Sequence, residues 1–421
     1  GAAYYFKLSA DQGDARGQCN YGSCLRWGEG VAKDLGGAAY YFKLSADQGN
    51  ADGQFNYGCC LEDGEGVAKD LRGAAHYFKL SADQGIAVAQ FNYGLCLEHG
   101  VGVTKDLRGA AHYYKLSADQ GDAAGQCNYG QCLERGIGRV AIDLERAVHY
   151  YKLSADQGNA DGQFYYGQCL EHGRGVPVDL GGAVHYFKLA ADQGNADAQV
   201  GYGRRLADGD GVEIDLVQAV YYFKLAADQG NARGQYNYAY MLENGYGVPV
   251  NKALAARYYK LAADHENVWA QLRCAYIFAN GYGVPVNKAL AAHYFKLSAD
   301  QGNADAQVMC AHIFANGEGV EVNPERAVHY YKLSTDQGHT WTRKNYERLL
   351  LAVGVGSTQP PASAQGQSQV VRSPALPQLQ PQGQPQPPAQ GRAQGQPQPQ
   401  FVVRHKPVVH ILAQGRVPGR G

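Results

Sequence analysis

Apolar and polar positions alternate between two helical rhythms along most of the chain, and residues 50–85 show one full cycle. Asn50 is a good N-cap, and Ala51, Phe55, Gly58 and Glu62 follow it at helical spacing. Gly64-Glu65-Gly66 then breaks the helix and makes a turn. Asp70 opens a second helix, whose Ala74, Tyr77, Phe78 and Ser81 stand at i, i+3, i+4 and i+7. Gly85 closes the unit. The pattern predicts a helical hairpin of about 36 residues.

This cycle repeats. A Lys-Leu-Ser/Ala-Ala-Asp string places its lysine at Lys7, Lys43, Lys79, Lys115, Lys152, Lys188, Lys224, Lys260, Lys296 and Lys332, with Thr335 replacing the alanine in the last copy. One step contains an extra residue near Arg139, expected in a loop, where an insertion costs least. The second-helix cap is Asp or Asn in every unit, and the first-helix cap is Asp or Asn in all but one, where Ile86 stands. One hairpin cannot bury its own apolar stripe, so neighbours must stack. The predicted fold is all-α: an α-solenoid, wound as a right-handed superhelix, of nine hairpins over residues 14–338. Residues 1–13 supply only the second helix of a truncated unit. The row from Tyr5, Tyr41 and Tyr77 to Tyr330, together with the Phe or Tyr that always follows, is expected to form a continuous aromatic core between hairpins. Gly22, Gly58, Gly94, Gly130, Gly167 and Gly203, then Ala239, Ala275 and Ala311, mark a close approach of helices.

Residues 339–353 leave the pattern. Tyr346, Leu349, Leu350 and Val353 make one apolar face, as a terminal capping helix would. Residues 354–421 contain 12 of the 16 prolines, much Gln and Gly, six Arg or Lys and no Asp or Glu. They read as a disordered basic tail. Net charge is -1 overall, which makes no case for nucleic acid as a partner. No apolar run approaches the ~18 residues of a membrane span, so no direct membrane insertion is expected. The chain lacks an initial Met and opens inside a repeat, so upstream repeats are expected.

Cys24, Cys60, Cys96, Cys132 and Cys169 share one slot, later held by Arg205, Met241, Ile277 and Ile313. Aliphatic replacement marks a core slot, and Arg205 is the copy that argues against it. Cys19 and Cys24 lie about 140° apart around one helix, so an in-hairpin disulfide fails. Such usage suits a reducing compartment, and the cytoplasm is favoured. His76, His112, His149, His185, His293 and His329 share a slot, but units about 10 Å apart cannot share one metal. No nucleophile elbow, phosphate loop or dinucleotide fingerprint appears. Neither cofactor nor metal is expected, and the chain reads as a non-enzyme.

The unit resembles the Sel-1-like repeat, a relative of the tetratricopeptide repeat, through Ala51, Gly58, Gly64, Gly66, Val67, Asp70, Ala74, Tyr77, Phe78, Ser81, Ala82, Gln84 and Gly85. Tyr57 and Leu61 depart from the family pattern but keep its apolar bulk. The resemblance implies an adaptor or scaffold that assembles protein complexes, in some members for protein quality control. An alternative is also implied: cysteine-rich bacterial members have been linked to penicillin-like compounds, which suggests a small-molecule binder or weak hydrolase with oxidised cysteines.

Identical units make differences informative. On the first helix the slots of residues 52, 56, 59 and 63 vary most, and their spacing predicts one exposed stripe. In solenoids of this kind the first helices line the concave face. The candidate partner-binding residues there are Trp27, His99, Arg135, His172, Arg204, Tyr240, Trp269, Tyr276 and His312. Aromatic and Arg side chains are the usual interface anchors, so the expected partner is a protein or peptide.

Overall fold

The computed structural model describes residues 1–339 and 342–356, with side chains through 353. All twenty regular elements longer than one turn are α-helices, and no strand occurs among the described residues. Helix α1 (Ala2–Asp11) is the lone second helix expected at the start. Nine hairpins follow. Their first helices are α2 (Ala15–Trp27), α4 (Ala51–Asp63), α6 (Ala87–His99), α8 (Ala123–Arg135), α10 (Ala160–His172), α12 (Ala196–Asp208), α14 (Ala232–Asn244), α16 (Val268–Asn280) and α18 (Ala304–Asn316). Their second helices are α3 (Leu35–Asp47), α5 (Leu71–Asp83), α7 (Leu107–Asp119), α9 (Leu144–Asp156), α11 (Leu180–Asp192), α13 (Leu216–Asp228), α15 (Lys252–Asp264), α17 (Lys288–Asp300) and α19 (Pro324–Asp336). Each helix packs on the next along the chain, which makes an α-solenoid.

The boundaries follow from caps. Asn50 accepts from Gly53 N at 2.8 Å, and Asp70 accepts from Arg72 N and Gly73 N. Gly64 ends α4 in the left-handed region at φ +75°. Gly66 is also left-handed, at φ +71°, and a Cβ there would collide with the Leu35 carbonyl of the preceding hairpin. The turn glycine is therefore also a packing residue between hairpins. The inserted residue is absorbed in a short 3-10 turn, Ile137–Arg139, where Arg139 takes φ +66°.

Two units depart from these rules. Ile86 makes no side-chain cap bond to α6, and Glu266 sits at φ +62° in the slot that Gly85 fills elsewhere. Ile86→Asp and Glu266→Gly are each expected to raise stability by about 1 kcal/mol. Thermal melts of the two variants check this.

The core refines one expectation. The buried aromatic layer is carried mainly by the ring that follows each invariant tyrosine, and of the tyrosine row itself Tyr222, Tyr294 and Tyr330 are buried. Tyr41, Tyr77, Tyr113 and Tyr150 are half-buried, whereas the residue after each, Phe42, Phe78, Tyr114 or Tyr151, is at most 2% exposed. A phenol hydroxyl needs a partner, and the row finds one at the hairpin border. Tyr113 Oη donates to Asp83 of the preceding hairpin at 2.8 Å, Tyr222 to Asp192 at 2.7 Å and Tyr330 to Asp300 at 2.7 Å. Asp83 also accepts from Lys79 at 2.6 Å. Burial alone would raise the Asp83 pKa, but the bonds from Lys79 and Tyr113 outweigh it and hold the carboxyl below its ordinary value. The recurring Lys, Asp and Tyr are thus a joint between hairpins. The glycine slot does mark a close approach: a Cβ on Gly58 would stand 2.8 Å from the Phe78 ring and 3.4 Å from Ala74 O.

A second joint went unread in the sequence. Gln84 Nε2 donates to Gln54 Oε1 at 2.7 Å, and buried Gln54 donates to Ala46 O at 3.5 Å. The motif recurs at every hairpin, with His265 Nδ1 near Gln235 Oε1 in the one altered copy. Identical glutamines in two slots were its only sequence signal.

The final helix, α20 (Arg343–Gly356), starts later and runs further than the expected capping segment. It packs on α19, with Tyr346, Leu349 and Val353 half-buried. Leu350 is 45% exposed, contrary to expectation, because α20 packs mainly on α19, which covers only part of its apolar face. The tail expected to be disordered lies outside the described residues from 357 onward.

Candidate partner-binding face

The face is built from the first helices. Several consecutive first helices touch each other: α2 and α4, α6 and α8, α8 and α10, and α12 and α14. Second helices make no comparable contact with one another among the described residues. The first helices are thus the side on which neighbouring hairpins approach more closely.

The four variable slots do not form one free stripe. The slots of 52 and 63 are largely open: Trp27 is 57% and Trp269 54% exposed, and His99, Arg135 and His172 are also exposed. Arg204 is exposed in the slot of 59. The middle slots are mostly covered. Asn92, Cys59 and Met309 are buried, and Tyr240, Tyr276 and His312 are half-buried. Tyr276 packs edge-on against Phe295 with centroids 5.1 Å apart, and burial pushes its pKa up to about 12. His312 Nδ1 lies 3.3 Å from Tyr331 Oη, and burial lowers its pKa. These three rings belong partly to the scaffold, so the accessible anchors stand at the two margins of the face.

Between the margins runs a charged layer that joins neighbouring hairpins. Arg174 Nη1 binds Glu134 at 2.6 Å, Arg273 Nη2 binds Glu243 at 2.5 Å and Arg26 Nη2 binds Glu65 at 2.9 Å. Tyr151 and Tyr259 hydroxyls donate to Glu134 and Glu243 at 2.8 and 2.9 Å. Arg205 belongs to the same layer. It is 6% exposed and pairs with Glu171 of the preceding hairpin and, at 2.7 Å, with Asp210. The Arg205 copy of the cysteine slot is thus buried like the others, which removes the argument against a core slot.

All ten cysteines are buried free thiols, not the disulfide framework of the alternative reading. Burial raises the pKa of Cys60 to about 11 and those of Cys96, Cys132 and Cys169 to about 12. That is the opposite of what a nucleophile needs. The exposed histidine row stacks edge-on against the tyrosine that follows, as His112 does on Tyr113 at 5.4 Å. Among the described residues no group of three His, Cys, Asp or Glu could hold a metal ion. No helix among them is long and apolar enough to cross a membrane.

The Sel1 repeat family model matches residues 2–14, 15–50, 51–86, 87–122, 123–159, 160–195, 196–231, 232–267, 270–303 and 304–339. The chain belongs to the Sel1 repeat family. The matched segments coincide with the truncated first unit and the nine hairpins. Among solved structures, a protective antigen of uropathogenic Escherichia coli strains with this repeat fold is 25% identical. It aligns over 87% of this chain and 84% of its own, with a TM-score of 0.69. A Sel1 repeat protein from Oxalobacter formigenes is 29% identical over 74% of this chain and 89% of its own, with a TM-score of 0.54. No curated protein matches the chain. Sel1 repeats are typically scaffolds for protein–protein interaction and are generally non-catalytic.

Proposed function

We propose that this Sel1 repeat chain is a non-catalytic adaptor that holds a protein or peptide along the concave side of its first helices. The observation that supports this most is the placement of exposed Trp27, Arg204 and Trp269 in slots that vary between otherwise near-identical units. Large aromatic side chains give much contact area for little conformational entropy, Arg adds planar multidentate hydrogen bonding, and both are the usual anchors of interfaces. Recognition is by shape and side-chain complementarity, with no covalent step.

The test uses the full chain to select binders from a displayed random-peptide library. Arg204→Ala/Trp269→Ala is expected to weaken the selected peptides at least tenfold while the helical circular dichroism stays unchanged. Tyr40→Ala/Tyr221→Ala removes two exposed rings from second helices and is expected to leave binding intact. Equal binding by the wild type and the concave variant would overturn the reading.

A further inference from the structure

The residue just before each second-helix cap changes character part-way along the chain. It is exposed Lys33, Lys69 and Lys105 in the first three hairpins. In the next six it is Ile142, Val178, Ile214, Val250, Val286 and Val322, which are 67, 61, 64, 58, 57 and 59% exposed. One edge of six successive hairpins therefore presents an unbroken row of β-branched aliphatic side chains to solvent.

Local packing does not require them. Each lies over the first glycine of its own turn: a Cβ on Gly245 would meet Val250 Cγ2 at 2.8 Å. Lys69 does the same with its stem, since a Cβ on Gly64 would meet Lys69 Cβ at 3.4 Å. A lysine thus satisfies the turn while keeping the edge soluble. Six aliphatic replacements in a row form an apolar surface of the kind that marks an interface.

We propose that this loop edge is a self-association surface, on which a second copy of the chain docks antiparallel about a two-fold axis between Ile214 and Val250. Three observations select that occupant. The row repeats once per hairpin, and a second copy has the same spacing. The exposed charges at the centre of the row favour the antiparallel sense. It brings the hairpin of Glu213 beside the partner's Lys252, whereas a parallel, in-register pairing brings equivalent hairpins, and so like charges, together. Finally, six such side chains expose roughly 100 Å² each, about 1,200 Å² in total for two copies, which reaches the lower limit for a stable interface.

Sedimentation equilibrium of the full chain tests this. The wild type is expected to dimerise. Ile214→Lys/Val250→Lys is expected to raise the dimer Kd at least about a hundredfold with no change in melting temperature, because Lys33, Lys69 and Lys105 occupy the same slot in this chain. Glu213→Lys and Lys252→Glu are each expected to weaken the dimer about tenfold or more, and the two together to restore it. A wild type that is monomeric at all concentrations, or a dimer untouched by the double lysine variant, would overturn the proposal. Failure of the charge swap to restore association would overturn the antiparallel arrangement.

Discussion

Arg205→Met is expected to lower the stability of the central hairpins by about 3 kcal/mol, and adding Glu171→Ala is expected to restore most of it. Arg205 is 7% and Glu171 13% exposed at the side chain, so removal of the guanidinium leaves a carboxylate buried without its main partner. The other partner, Asp210, is 51% exposed and returns to water at little cost. The chain itself shows that both apolar replacements fit. Met241, Ile277 and Ile313 occupy the slot of Arg205, and Ala207, Ala279 and Ala315 occupy that of Glu171. A buried pair that breaks even against apolar side chains, yet is costly to halve, should show this pattern. Amide hydrogen exchange in α10 and α12 measures it locally, which matters because long repeat arrays need not unfold as one unit. Equal destabilisation by the single and double variants would mean that packing, not the stranded charge, carries the cost.

The second large effect is alkaline. The folded thiols of Cys96, Cys132, Cys169, Cys274 and Cys310 hold their protons to about pH 12, because burial disfavours the thiolate. In the unfolded chain these thiols ionise near their ordinary value of 9.0. Stability from such groups is complete below pH 9 and is lost as pH rises from there towards 12, since the unfolded state then binds fewer protons. The loss is about 1.4 kcal/mol per thiol per pH unit within that window. Buried Tyr151 and Tyr259 act in the same direction above pH 10, again through burial. The melting temperature, measured in reductant, is therefore expected to change little up to pH 8 and to fall steeply above pH 9. Cys96→Val/Cys132→Val/Cys169→Val should make the fall shallower. The same pH dependence in this variant would show that the buried thiols do not set it.

The hairpins and their order were legible because a repeat prints each rule many times. Asp34 to Asn323 at one cap and Gly64 or Gly66 at each turn leave little freedom in where helices start and stop. Which residue of each Tyr-Phe pair points inward was not legible. Tyr77 and Phe78 are adjacent on one helix, and only the position of Asp47 on the preceding hairpin decides which ring needs the border. The binding face was half legible. Variation singled out Trp27, Arg204 and Trp269, which are open, but also Tyr276 and His312, which pack against Phe295 and Tyr331. Variation alone does not tell an exposed slot from one covered by the next helix. The aliphatic row from Ile142 to Val322 was visible as a Lys-to-Val change but needs the loop edge to give it meaning.

The adaptor account is tested most directly by hydrogen–deuterium exchange on the full chain with a selected peptide bound. Protection concentrated on first helices α12, α14 and α16, with the second helices α13, α15 and α17 unchanged, is the predicted result. Protection confined to the second helices, or to the loop edge, would contradict a partner held on the concave side.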